Sequence, residues 1–173
     1  SAASSNETEY ANGLVEKYKV EPGGTQKLKE RKHWLNDDYV KFLALAENFI
    51  DDNGEGVVGF ITNHGYLDNP TFRGMRWRLM ESFDSIYILD LHGNAKKREV
   101  SPDGSKDENI FAIQQGVSII IAVKRKPEHK EPAKIQHADL WGTREKKFEK
   151  LDEASLENLK WTTLSPKAPN LLF

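Results

Sequence analysis

Cysteine is absent from this chain of 173 residues. That excludes disulfide staples and thiolate chemistry, and it fits a reducing compartment. With five histidines and no cysteine, no metal site is expected. Long hydrophobic runs are also missing. No apolar stretch approaches the roughly 18 residues that would span a bilayer, so no membrane partner is expected. The opening SAASSNETEY has neither the basic start nor the apolar centre of a signal peptide, and the expected location is cytoplasmic. Charge of one sign is scarce: 25 Lys and Arg face 27 Asp and Glu, for a net charge of −2. Wholesale electrostatic attachment to nucleic acid is thereby excluded, while a local basic face is not. There is no fixed-period repeat, no G-x-S-x-G, no glycine-rich phosphate loop and no dinucleotide fingerprint.

What is present describes a polar-surfaced α/β chain. Charged residues make up 30% and hydrophobic residues 38%, with a mean hydropathy of −0.67. A domain of this size buries about 70% of its unfolded surface, so a sizeable core is possible. Residues 1–35 read as a polar loop with one helical turn around Leu14 and Tyr18, followed by the basic run Lys27 to Lys32. Residues 36–126 hold nearly all the strong periodicity. Tyr39, Phe42, Leu43, Ala46, Phe49 and Ile50 recur at helical spacing behind an Asn36 cap, and Asp51 to Gly54 stop that helix. GVVGFIT, Gly56 to Thr62, reads as a strand buried on both faces. A second helix opens at Asn69-Pro70 with the stripe Phe72, Met75, Leu79 and Phe83. Arg73, Arg76 and Arg78 decorate its other faces, and Gly74 weakens it by about 1 kcal/mol relative to Ala. SIYILDL and GVSIIIAVKRK supply two more strands. Strand, helix, strand implies a parallel unit. The 24 residues at 92–115 offer no crossover helix, so the third strand is expected to be antiparallel in a mixed sheet. Pro127 to Pro132 signals a connection, and 127–173 reads as linker and the start of a following segment, ending in an extended SPKAPNLLF.

Open α/β sheets bind ligands beyond the carboxyl ends of their strands, which directs attention to Asn63-His64-Gly65-Tyr66 and to Asp90, His92 and Asn94. His64, His92 and Asp90 together can ligate a metal, but no third histidine sits at metal spacing, and the structural role of orienting loop ends is the preferred reading. Pro102-Asp103 reads as a turn. Lys96, Lys97, Arg98 and Lys106 in the long loop are candidates for phosphate contacts, against the plain alternative of a solvated loop balanced by Glu99, Asp103, Asp107 and Glu108. Phe111 stands just before a buried strand, where an aromatic is usually core.

The blocks NDDYVKF, GVVGFITNHGYLDNPTFRGMR, SIYILDLHGN, PDGSKDENIFAIQQGVSIIIAVKR and HADLWGTREKKFEKL together resemble adenine-specific DNA methyltransferases of restriction–modification systems, of the Eco57I-like and fused restriction–methylase kind. The resemblance covers about residues 30–165. It implies a partial Rossmann-like methyltransferase fold dependent on S-adenosylmethionine, with a mixed sheet, an antiparallel last strand and flanking helices. The family's cofactor loop and its Asn-Pro-Pro-Tyr tetrapeptide are missing here. The chain is therefore expected to be a carboxyl-side portion, with no catalytic or cofactor-binding residue of its own and inactive alone. S-adenosylmethionine would serve the complete enzyme only, and the missing amino-terminal half would be a partner alongside double-stranded DNA. Self-association through an exposed sheet edge is the expected response to its absence. By the same resemblance, Asn63, His64 and Tyr66 would rim the pocket for a flipped adenine, with Phe111 stacking on the base, or Ile113 in its place. Lys96, Lys97, Arg98 and Lys106 would face DNA. The competing readings are a non-catalytic DNA-recognition or scaffold module and, behind it, a metal-dependent nuclease using Asp90, His92 and His64.

Overall fold

The structure is a computed structural model that describes residues 6–29, 33–126 and 131–173. The last part of the basic run, at 30–32, and the Pro127 end of the proline-flanked connection lie outside the described residues. Five strands form one mixed sheet in the order β1-β3-β2-β4-β5: β1 (Gly56–Asn63), β2 (Ser85–Asp90), β3 (Val117–Lys124), β4 (Lys134–Asp139) and β5 (Thr162–Leu164). β3 is antiparallel to both β1 and β2, with Ile120 opposite Phe60 on one side and Ile88 on the other. The antiparallel third strand is as expected, but it separates β1 from β2, so these two share a direction without being neighbours. The parallel neighbour of β2 is β4, and β5 closes the far edge. The sheet thus continues well past residue 126.

Helix α2 (Asp38–Asn53) begins one residue later than read, with Asp37 in extended conformation as its cap. Gly54, at φ 81°, ends it by donating its N–H to the Ile50 and Asp51 carbonyls. Its buried stripe is Val40, Leu43, Ala44, Glu47 and Ile50, while Phe42 and Phe49 are 56% and 67% exposed. The expected face is therefore rotated by about one residue. The cause is Glu47, a fully buried carboxylate that a hydrophobic pattern passes over. It accepts hydrogen bonds from Tyr18 Oη (2.7 Å) and Ser82 Oγ (2.5 Å), and it pairs with Lys17 and Arg78. Charge and hydroxyl partners satisfy both oxygens, which is what burying a carboxylate requires.

Helix α1 (Glu9–Leu14), capped by Thr8, and a 3₁₀ turn at Glu16–Tyr18 replace the single expected turn. α3 (Gly65–Asp68) follows β1, and α4 (Arg73–Ser82) follows a 3₁₀ turn begun by Asn69 and Pro70. Phe72, Met75, Leu79 and Phe83 are all buried as expected. Arg76 is not surface decoration. It is fully buried, donating to the carbonyls of Tyr66 (2.5 Å), Asn69 and Asn170, and burial lowers its pKa to about 10. It ties down the C-terminal segment, which folds back in a turn and gives the Phe173 N–H to Leu67 O instead of running out extended.

One sheet face, with Val58, Ile86, Ile88, Ile120, Ala122 and Ile135, is buried under α2 and α4. At roughly 1.5–3 kcal/mol per large aliphatic side chain removed from water, this is the main stabilising cluster. The other face is only partly covered. Leu89, Val117 and Ala138 pack with Leu91, Ile110 and Leu140, and Leu151 of α5 (Arg144–Glu153) lies against them. Over β1 that face is open: Val57 is 65% and Ile61 47% exposed. β1 is an edge strand with one bare face, not a strand buried on both. No helix among the described residues is long and apolar enough to cross a membrane.

Candidate functional site

The carboxyl ends of β1 and β2 lie on either side of β3, and the long segment 91–116 is laid across them. Asp90 ends β2, and the chain then turns through two left-handed residues, His92 (φ 51°) and Gly93 (φ 78°). The turn returns the His92 N–H to Asp90 Oδ1 at 2.9 Å. The same oxygen lies 3.0 Å from His64 Nδ1. Burial pushes the Asp90 carboxyl up, but the His64 hydrogen bond and the fields of both histidines outweigh it and leave the group below the usual carboxylate range. Asn94 places its Nδ2 donor 3.1 Å from His64 Nε2. The proton of His64 is therefore assigned to Nδ1, facing Asp90. Gly116 makes room for that imidazole, since a Cβ there would overlap the ring. His92 Nε2 meets Asp139 Oδ1 at 2.7 Å, and its ring stacks on Trp141 at 3.3 Å between centroids.

Behind this turn sits a buried ion pair. Asp107 and Lys147 meet at 2.7 Å with both side chains fully buried. Asp107 also accepts the N–H groups of Gly93 (2.7 Å) and Gly142 (2.9 Å). Lys147 donates to the carbonyls of Leu91 and Glu108. Asn109 then bridges Gly93 O and Gln115 O, and its Oδ1 takes the Phe111 N–H. Arg144 holds the carbonyls of Asn109 and Phe111. The backbone that carries Phe111 is locked at several points while the residue is left 42% exposed.

In front of that scaffold opens a cleft of about 410 Å³, whose walls include Asn94, Glu99, Phe111, Ile113, Gln114 and Arg144. An aromatic face beside two carboxamides is suited to a flat, polar-edged ring. Of the residues expected to form a base pocket, Phe111 and Ile113 line the cleft. His64 stands one step behind it, through Asn94. Asn63 instead accepts the Gly65 N–H at 2.8 Å, and Tyr66 is fully buried with its Oη 3.3 Å from Ser118. Burial raises the pKa of that phenol. Of the expected DNA-facing bases, Lys97 pairs with Asp68 (2.9 Å) and Lys106 with Glu108 (2.5 Å), while Lys96 and Arg98 are exposed. The turn at Pro102-Asp103 is present, closed by the Val100–Lys106 bridge. A smaller, apolar hollow of about 180 Å³ lies between the sheet and α5, beside Tyr87, Leu151 and Trp161.

Asn94 was singled out by its place after a strand, and Asp107 only as a solvated balancing charge; Arg144 and Lys147 were not singled out by sequence. A buried lysine in EKKFEKL has the same signature as a solvated one, and Asp107 gains its role only from partners 14 to 40 residues away.

No family model matches the chain, and no curated protein does either. Solved structures do. The ATP-dependent Type ISP restriction-modification enzyme LlaBIII bound to DNA matches 94% of this chain at 26% identity with a TM-score of 0.72. A nuclease-deletion mutant of the Type ISP restriction-modification enzyme LlaGI, in complex with a DNA substrate mimic, matches 95% at 25% identity and 0.74. The DrdV–DNA complex matches 82% at 28% identity and 0.70. The fold is that of a part of DNA-bound restriction–modification enzymes. It is a small part: the chain spans 11%, 15% and 14% of those three chains, respectively.

Proposed function

We propose that this chain is the carboxyl-side part of the adenine-specific DNA methyltransferase unit of a restriction–modification enzyme, and that the Phe111 cleft receives the extrahelical adenine. The observation that carries the reading is the contrast between a rigidly held backbone at Phe111 and an exposed ring at the mouth of a polar cleft. A core phenylalanine would be buried; this one is presented. The DNA-bound structures that share the fold agree with a DNA partner, and the exposed Lys96 and Arg98 stand on the loop that forms the cleft.

The described residues do not fit S-adenosylmethionine. The two turns that lead from a strand into a helix are the natural anion cradles of such a fold, and both are already filled by the chain itself. Asn63 takes the Gly65 N–H; Asp107 and Glu108 take the N–H groups of Gly142 and Arg144. The cofactor is assigned to the missing amino-terminal half, and methyl transfer to the complete enzyme.

In the complete enzyme, Phe111→Ala separates base capture from duplex binding. Stacking on an aromatic contributes roughly 1–3 kcal/mol and is realised only after flipping, which itself costs a few kcal/mol. The methylation rate is expected to fall by about tenfold or more with duplex affinity nearly unchanged. Replacing Lys96, Lys97 and Arg98 with Ala does the reverse, weakening binding and flattening its salt dependence. Parallel loss of Tm, binding and methylation in Phe111→Ala would assign the ring to packing and end the proposal.

A further inference from the structure

We propose that His64, His92 and Glu99 form a binding site for a single divalent transition-metal ion of the zinc class, which clips the cleft loop to the ends of β1 and β2. Among the described residues, one donor atom from each of the three lies within 4.8 Å of the others. They come from two segments: His64 is the residue after β1, and His92 and Glu99 both lie in the long segment between β2 and β3. The sequence pointed to the two histidines but not to Glu99 as their third partner.

Two further observations point to a ligand. Each histidine already has one ring nitrogen held by a carboxylate, Nδ1 of His64 by Asp90 and Nε2 of His92 by Asp139. That is the outer-shell arrangement that fixes the tautomer and orientation of metal-binding imidazoles. On the other side, Nε2 of His64 accepts from Asn94 Nδ2 at 3.1 Å, a bond an ion would displace, and Nδ1 of His92 is left for a second partner. His92 Nδ1 has only the distant approach of Asp90 Oδ2 at 3.6 Å. Both rings are also held in place, His64 by its bonds to Asp90 and Asn94 and His92 by its stack on Trp141. Preorganised imidazoles lose little freedom on binding an ion.

The donor set selects the ion. Two imidazoles and one carboxylate suit zinc, cobalt or nickel, whereas magnesium and calcium require oxygen donors. The Asn94 carboxamide now donates to His64 Nε2 and accepts the Lys97 N–H through Oδ1, and an ion displaces the first of these bonds. Because Glu99 and Asn94 are also cleft walls, the ion acts as a cross-link that sets the shape of the cleft. The proposal does not depend on what the cleft binds.

The test uses the 173-residue chain stripped with a chelator, titrated with Co²⁺ and followed by its visible d–d absorption, then by displacement with Zn²⁺. Saturation at one equivalent with a tetrahedral or five-coordinate spectrum is expected. His64→Gln and His92→Gln should abolish the band and lower zinc affinity by more than about a hundredfold, and Asp90→Asn should lower it about 10- to 100-fold. Glu99→Gln is the control against misfolding, because Glu99 is not part of the core; it should keep the native Tm of the metal-free chain and still weaken the metal. An absent cobalt band, or a band that survives in His64→Gln, His92→Gln and Glu99→Gln alike, overturns the site and leaves a hydrogen-bonded histidine pair. The outcome is independent of Phe111→Ala, so either proposal can fail alone.

Discussion

At the scale of single residues, helix propensity and close packing give opposite answers for Gly74. Propensity says that Ala should gain about 1 kcal/mol in a helix interior. The structure says that a Cβ at this position would overlap the backbone carbonyl oxygens of Tyr18 and Val20, which cross α4 there. Backbone cannot swing aside as the end of a side chain can, and overpacking costs about 1–3 kcal/mol. Gly74→Ala is therefore expected to destabilise by about 1–2 kcal/mol net, a fall in Tm of about 2–8 °C for a chain of this size. Gly13 provides the comparison. It also lies in a helix, α1, but nothing stands within 4 Å of its Cβ position, so Gly13→Ala should leave Tm unchanged or raise it. Thermal unfolding of the two variants side by side checks both signs. The same distinction explains what was legible. The hydrophobic stripe of α4 could be read from spacing, whereas the contact that requires Gly74 comes from a segment more than 50 residues away in sequence.

At the scale of elements, the segment 91–116 is long and without regular structure, yet it is held firmly. Its anchor is the Asp107–Lys147 pair, which joins the end of β2, the loop and the first half of α5. Removing one member of a buried pair strands a charge, at a cost of about 3–5 kcal/mol. Lys147→Met is expected to lower the unfolding free energy measured in urea by that much, and Asp107→Asn combined with Lys147→Met to recover a good part of it. A double variant no better than Lys147→Met would mean that the pair itself, not the stranded carboxylate, dominates. The elements missed by sequence have a common cause. β4 was not foreseen because KIQHAD alternates poorly, with only Ile135 and Ala138 buried; its strand is imposed by parallel pairing to β2. The rotation of α2 follows from Glu47, whose burial depends on Tyr18, Ser82, Lys17 and Arg78. The strands β1, β2 and β3 were legible because their apolar runs are local. Phe111 and Ile113 were legible as cleft residues only through resemblance, Asn94 through its place after a strand end, and Arg144 not at all.

At the scale of the whole molecule, the sheet has one edge and part of one face without cover. Among the described residues β1 pairs only with β3, so its outer N–H and C=O groups have no strand partner there. Val57 and Ile61 on the bare face make that margin apolar. An edge strand of eight residues with apolar flanks is a template for another strand. In the longer enzyme proposed above, the amino-terminal half would occupy this margin. Alone, the chain is expected to pair through β1 with a second copy, and the weight-average mass in sedimentation should rise with concentration. Charge placed on the bare face discourages such pairing at little cost to the fold, because exposed positions away from special features tolerate substitution within about 0.5 kcal/mol. Val57→Lys with Ile61→Lys should therefore return the chain to a monomer without lowering its Tm. The same pair of substitutions tests the longer enzyme in the opposite sense: if the amino-terminal half covers this margin, the two lysines become buried and unpaired there, and the intact enzyme should lose stability that the isolated chain does not. A wild-type chain that stays monomeric at high concentration would remove the self-association, and an intact enzyme indifferent to the two lysines would place its other half elsewhere.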